Sequence, residues 1–395
     1  MRQNKYIEKA KMYGDSVFGF LSGIFSKSTS VSIGRRRVKI YPAKVMVSVI
    51  VAMVVISTIL SVFSAVGGTK NVNISFNTSH EYNALAIDSK VLIYNNSTVK
   101  AIKADGKVEW EINETLSNPL MEVGGDYVLL VDLAGNHYAA SYKNGKKVQE
   151  FKMENDIISA KVTKSGYTAF ATDTDGYKGR VTVFNKRGKE LYVWNSGSGY
   201  ISDIEISDNG RYLVVAQLVT DSDQVETRLQ FIDTRRGEIM ATSVRRGEIA
   251  INMNFVSSNR LILATDNHIV GYNPSGKEKF NISLIGKSPS LYSIDTEDTI
   301  GVVTLDNHGN SVLELYSVSG RLRGTYTANG DIRAISISEK SAVVAQQRGL
   351  TRVNARGKER KTLRVEHDIK AIGYFGSGKR VLAVGAAQAD TLSIK

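Results

Sequence analysis

The chain has 395 residues, with 51 Lys and Arg against 39 Asp and Glu, and no cysteine. A charged fraction of 23% beside 42% hydrophobic residues describes a folded chain and excludes wholesale disorder. The missing cysteines exclude a disulfide framework, thiolate metal sites, iron–sulfur clusters, a cysteine nucleophile and a lipoprotein anchor.

The net charge of +12 is unevenly placed. Residues 1–44 hold ten Lys and Arg but only Glu8 and Asp15, whereas residues 45–395 are close to balance. A basic tail on a balanced body does not carry the nucleic-acid footprint that the overall charge suggests, so no nucleic-acid partner is expected. Within the tail, a helix capped by Asp15 or Ser16 places Val17, Phe18, Phe20, Leu21, Ile24 and Phe25 on one broad face. Such a helix suits the inner membrane interface. A disordered tail and a partner-binding helix are the alternatives.

From Val45 to Thr69 no side chain is ionisable. A helix of about 22 residues spans about 33 Å, enough for a bilayer core of roughly 30 Å. Residues 45–67 therefore read as one transmembrane helix. Arg35, Arg36, Arg37, Lys39 and Lys44 flank its start and only Lys70 its end, which puts the tail in the cytoplasm and the rest outside. The long basic region and long apolar core favour an uncleaved signal anchor over a cleaved signal peptide. The expected location is the cell membrane, with a single pass and membrane lipid as a partner.

Beyond residue 70 the chain repeats. A glycine followed by a charged residue recurs at Gly106, Gly145, Gly188, Gly237, Gly276, Gly320 and Gly357, with a mean spacing near 42. A second series of turns followed by apolar strands lies midway between them, as in KSGYTAFAT at 164–172 and SDNGRYLVVA at 207–216. Two hairpin turns in phase within 42 residues mean four strands per unit, which are the blades of a β-propeller. Seven units are complete. An eighth, from Asp368, ends after three strands, and NVNISF at 71–76 is the expected fourth. The fold class is thus all-β, an eight-bladed propeller over 70–395, with seven blades as the alternative. Ile74 and Phe76 are expected to pack beside Leu392 and Ile394.

GKVEW at 106–110 resembles the end of the tryptophan-docking repeat of quinoprotein-type (PQQ-like, WD-like) propellers. Gly188 with Tyr192 and Gly276 with Phe280 are similar, with another aromatic in place of tryptophan. The whole plan also resembles an uncharacterised family of single-pass, membrane-anchored propeller proteins of Gram-positive bacteria. The resemblance implies the architecture. It does not extend to pyrroloquinoline quinone, because the vicinal disulfide and calcium-binding acids typical of those enzymes are absent, so no cofactor is expected.

No catalytic, cofactor or metal residue is assigned. Asn136-His137, Asn267-His268 and Asn307-His308 fall at turns between second and third strands of different units, where asparagine suits the left-handed conformation. Asp173-Thr174-Asp175-Gly176 and Asp221-Ser222-Asp223 lack the glutamate of a calcium loop and read as hairpin acids. RRGEI occurs at 235–239 and 245–249, and Arg352, Arg356, Lys358, Arg360, Lys361 and Arg364 crowd another unit. These basic residues read as solvated strand edges, or as contacts to anionic envelope polymers or phospholipid headgroups outside the cell. The functional expectation is a non-catalytic interaction or scaffold module of the cell envelope, with a protein partner. A sensor signalling through the tail and a hydrolase or lyase with a scattered site are the alternatives.

Overall fold

The computed structural model describes residues 29–33, 36–40, 72–75, 83–87 and 90–395, apart from 134–136, 221–223, 339–340 and 376–378. The chain divides into two compact units, residues 1–69 and 70–395. In the first, Thr29–Ile33 pairs antiparallel with Arg36–Ile40 as a hairpin that the sequence reading had not placed. The expected helix around 17–25 and the expected membrane span at 45–67 lie outside the described residues. Among the described residues, no helix is long and apolar enough to cross a membrane.

The second unit is an eight-bladed propeller of four-stranded antiparallel sheets. Blades 1 to 7 cover 83–113, 119–152, 157–195, 200–246, 250–283, 291–327 and 334–364, each built from consecutive strands. Blade 8 is composite. Its order is Val72–Ser75, Gln388–Ser393, Arg380–Val384, Ala371–Tyr374, so a strand from the start of the unit completes a sheet from its end. Val72 faces Thr391 and Ser75 faces Gln388, and Asn73 Nδ2 donates to Asp390 Oδ1 at 2.9 Å. The packing of Ile74 differs from the expectation, and Phe76 lies outside the described residues. Ile74 pairs with Ala389, which faces blade 1, so it joins Val91, Ile93 and Leu382. Leu392 and Ile394, one residue out of phase, point toward blade 7.

The second strands are the most buried, as in Thr168–Thr172, Ser341–Ala345 and Arg380–Val384, because both of their faces meet neighbouring blades. All seven signature glycines adopt positive φ at the turns before the outer strands. Gly145 shows why no side chain fits: a Cβ there would lie 2.7 Å from the Cβ of Trp110 in the preceding blade. At Gly320 the neighbour is Phe280 of blade 5, at 2.6 Å. At four junctions the fourth residue after the signature glycine thus docks on the glycine turn of the next blade. The docking residue is Tyr192 in blade 3 and Ala241 in blade 4. Gln149 of blade 2 instead donates to Asn185 O at 3.4 Å. The sequence showed tryptophan in one repeat only, but the position works the same way with other side chains.

Candidate functional site

The first strands of neighbouring blades touch at most junctions around the ring and form its inner wall. On them, the position that faces the next blade is Glu122 in blade 2, Lys161 in blade 3 and Glu205 in blade 4, where blade 5 has Asn254, blade 7 Ser336 and blade 8 Gly373. The site thus alternates acid, base, acid along one arc. Lys161 Nζ lies 3.1 Å from Glu122 Oε1 and 3.9 Å from Glu205 Oε2. Glu205 Oε1 accepts from the Phe255 amide at 3.4 Å, the bond that Ser336 Oγ makes to the Tyr374 amide three blades later at 3.0 Å. Asp203 accepts from Ser159 Oγ at 3.0 Å and from the Ile204 amide at 2.9 Å.

Glu205 is 7% exposed. Burial pushes its carboxyl up to about 8; Lys161 opposes the shift, and Asp203 and Glu122 reinforce it. Burial also raises Glu122. For Lys161, burial acts to lower the ammonium, but the carboxylates of Glu122, Glu205 and Asp203 outweigh it and leave it above the usual lysine range. The arc can hold a proton near neutral pH. The sequence reading missed these residues, although a signal was present. In EVG, KVT and EIS, a charged residue precedes a β-branched or glycine-flanked turn in three successive repeats.

Nearer one end of the ring, Lys164 of blade 3 donates to Glu297 of blade 6 at 2.7 Å, an ion pair that reaches across the centre. Both side chains are more than half exposed, so the bond is weak on its own. Beside it, Asp208 accepts from the amide and hydroxyl of Ser165.

The other residues singled out in the sequence do not converge. His137 lies 2.9 Å from Asp156, His268 Nδ1 3.1 Å from Glu248 without hydrogen-bond alignment, and His367 Nε2 3.1 Å from Asp390. His80 lies outside the described residues. At the three Asn-His turns, the left-handed residues are His137 and Gly309, whereas Asn267 and Asn307 are not left-handed. Asp173 and Asp175 sit in a loop between strands of blade 3, and Asp221–Asp223 lie outside the described residues. Among the described residues, no three His, Asp or Glu are grouped to hold a metal.

The two RRGEI copies have different fates. In the first, the Arg235 and Arg236 amides are capped by Asp233 at a turn. In the second, Arg245 grips Glu248 through Nη2 at 3.0 Å and Nε at 3.2 Å, and Glu248 also accepts from Thr265 Oγ1. Burial acts to raise Glu248, but the Thr265 and Arg245 hydrogen bonds outweigh it and hold the carboxyl below its ordinary value. That arginine clasps blades 4 and 5 and is not available to an outside ligand. By contrast, none of Arg352, Arg356, Lys358, Arg360, Lys361 and Arg364 forms a salt bridge among the described residues. Between blades 1 and 2, Glu114 accepts from Tyr138 OH at 2.8 Å and from Tyr142 OH, with Lys147 3.5 Å away. The adjoining cleft of about 20 Å³ has room for a single water.

The two ends of the ring differ in charge. Antiparallel pairing sends the first-to-second and third-to-fourth strand turns to one face, and the remaining connections to the other. Among the described connection residues, the first face has thirteen Lys and Arg against six Asp and Glu; the other has five against eleven. The outer turns of the first face hold ten Lys and Arg and a single acid, Asp105. Val72 lies at this same end, since it pairs with Thr391 near the end of the third strand of blade 8.

These features define an eight-bladed β-propeller with a charged inner arc and oppositely charged faces. The chain belongs to the Family of unknown function (DUF5711), which matches residues 59–394. No curated protein matches it. Among solved structures, the C-terminal WD40 domain of Sif2 is similar, at 14% identity over 82% of this chain and 99% of that one, with a TM-score of 0.57. BamB from Moraxella catarrhalis is similar at 12% identity over 82% and 97%, with a TM-score of 0.50. At such identities the likeness concerns the fold alone.

Proposed function

We propose that the protein is a membrane-anchored, non-catalytic propeller that presents a rigid loop face to a protein partner in the cell envelope. The observation that carries this reading is the position of the closing strand. It begins at Val72, three residues beyond the uncharged run Val45–Thr69, so anchor and ring are joined almost without a linker. The basic flank before that run supports a cytoplasmic tail and an external propeller. The polar groups that suggest chemistry, Glu205, Glu248, Glu114 and His367, each contact neighbouring protein groups, which supports a scaffold. Propellers of this kind work through loops carried on a rigid frame.

The test is membrane fractionation with protease access from outside intact cells. The full chain is expected in the membrane fraction with the propeller cleavable from outside, and deletion of residues 45–67 is expected to release it. A chain that fractionates as a soluble protein refutes the anchor. In-cell crosslinking then tests the interaction: Asp173→Lys with Asp175→Lys is expected to abolish a defined partner band. Retention of every band by variants on both faces refutes the scaffold reading.

A further inference from the structure

The repeat glycine turns do more than shape the blades. Seven turns, each closing a third strand onto an outer strand, converge on one rim of the ring, and their flanking residues are Lys107, the triplet Lys186, Arg187 and Lys189, and their counterparts in the other blades. The Lys186, Arg187 and Lys189 side chains are exposed, and none forms a salt bridge among the described residues. The chain enters the propeller at this rim, because Val72 lies at that end of blade 8. The opposite face is acidic.

We propose that the basic rim rests on the anionic headgroups of the membrane surface, so that the acidic face points away from the membrane; this rests on the anchored reading above. Two independent features meet here. Charge complementarity selects an anionic surface, and many shallow lysines and arginines spread around a circle match a flat array of headgroups better than one pocket-bound ligand. In sequence the uncharged run ends at Thr69, three residues before Val72, and Val72 belongs to that same rim and not to the acidic one. Opposite polarity on the far face adds orientation, since an anionic surface repels it. The contact weakens with salt as the Debye length falls from about 10 Å at 0.1 M to about 3 Å at 1 M.

The absence of native cysteine permits single labels. Ser319→Cys on the rim and Asn307→Cys on the opposite end of the same blade are each labelled with a fluorophore. The full chain is reconstituted in vesicles of phosphatidylcholine, or of phosphatidylcholine and phosphatidylglycerol in equal parts, with headgroup spin labels as quenchers. Quenching at position 319 is expected to rise about threefold with the anionic lipid at 0.1 M salt and to collapse at 1 M, while position 307 stays unchanged. Lys186→Glu, Arg187→Glu and Lys189→Glu together are expected to remove much of the rise. The Arg356→Glu, Lys358→Glu pair gives an independent check if the triple variant folds poorly. A chain embedded in both vesicles with no lipid-dependent change at 319, or with the change at 307, overturns the proposal and leaves the anchor standing. A chain that binds only anionic vesicles and elutes with salt overturns the anchor and upholds the rim.

Discussion

The seam between blades 3 and 4 and the seam between blades 8 and 1 do the same mechanical job by different means. At the first, an apolar cluster around Ile201, Ile204, Leu213 and Val215 is topped at the inner wall by Lys161 and the carboxylates near it. At the second, the corresponding inner position is Gly373, whose missing side chain leaves room for Val91. Nothing charged is buried at that position. Instead the closing strand adds Ile74 to an apolar cluster and lays its backbone along Gln388–Ser393, with residues 317 apart in sequence meeting at Asn73 and Asp390. Chain continuity already holds blades 3 and 4 together, so their seam tolerates buried charge. At the closing seam only Val72–Ser75 is continuous with blade 1; the other strands of blade 8 come from the far end of the chain, so apolar burial and the ladder between Val72–Ser75 and Gln388–Ser393 must offset the entropy of a long loop.

The strongest way to break this contrast is to delete residues 72–75. The ring should lose on the order of 4–5 kcal/mol and expose an edge, read as a sharp fall in the melting temperature and as dimers in size-exclusion chromatography. An unchanged melt and a monomeric profile would show that the strand does not close the ring.

Lys161→Ala strikes the other seam. Removing the base leaves buried carboxylates facing one another and is expected to cost about 3 kcal/mol at pH 8 by chemical denaturation. The loss should shrink at pH 5, where the carboxyls take up protons; a loss independent of pH argues against the charge assignment.

A gentler test uses pH alone. Glu205 has a raised carboxyl when folded and an ordinary one when unfolded. Between about pH 5 and 8 the unfolded chain therefore binds fewer protons than the folded one, and stability falls as pH rises. Glu122 acts with the same sign. The decline should be on the order of 1–2 kcal/mol, and Glu205→Gln should flatten it. A wild-type profile flat across that range would contradict the burial of Glu205.

The smallest effect belongs to the ion pair across the ring. Lys164→Ala should change stability by under about 1 kcal/mol, because both partners are largely exposed. A larger loss would mean that this pair, and not the seams, holds the ring round.

Much of the ring was legible in the primary sequence, and the reason is local. Each blade is built from consecutive hairpins whose turns demand glycine, so the 42-residue phase of Gly106 to Gly357 and the buried runs such as TAFAT carry the blade count without long-range information. NVNISF after the last incomplete unit even identified the missing strand, of which Val72–Ser75 is paired. Side-chain partners were less legible. Ile74 turned toward blade 1 because strand parity depends on the register with Ala389, which no local pattern sets. Glu122, Lys161 and Glu205 lie about forty residues apart and look like ordinary strand charges until the ring brings them within reach of one another. RRGEI reads the same at both copies, yet Arg245 is clasped by Glu248 while Arg235 stays exposed at a turn. The glycine repeats and their basic neighbours were visible as turns, because turn chemistry is written in adjacent residues. That all seven stand on one rim, opposite an acidic face, was decided only by the closed antiparallel ring, because a face belongs to the assembled circle of blades and to no single hairpin.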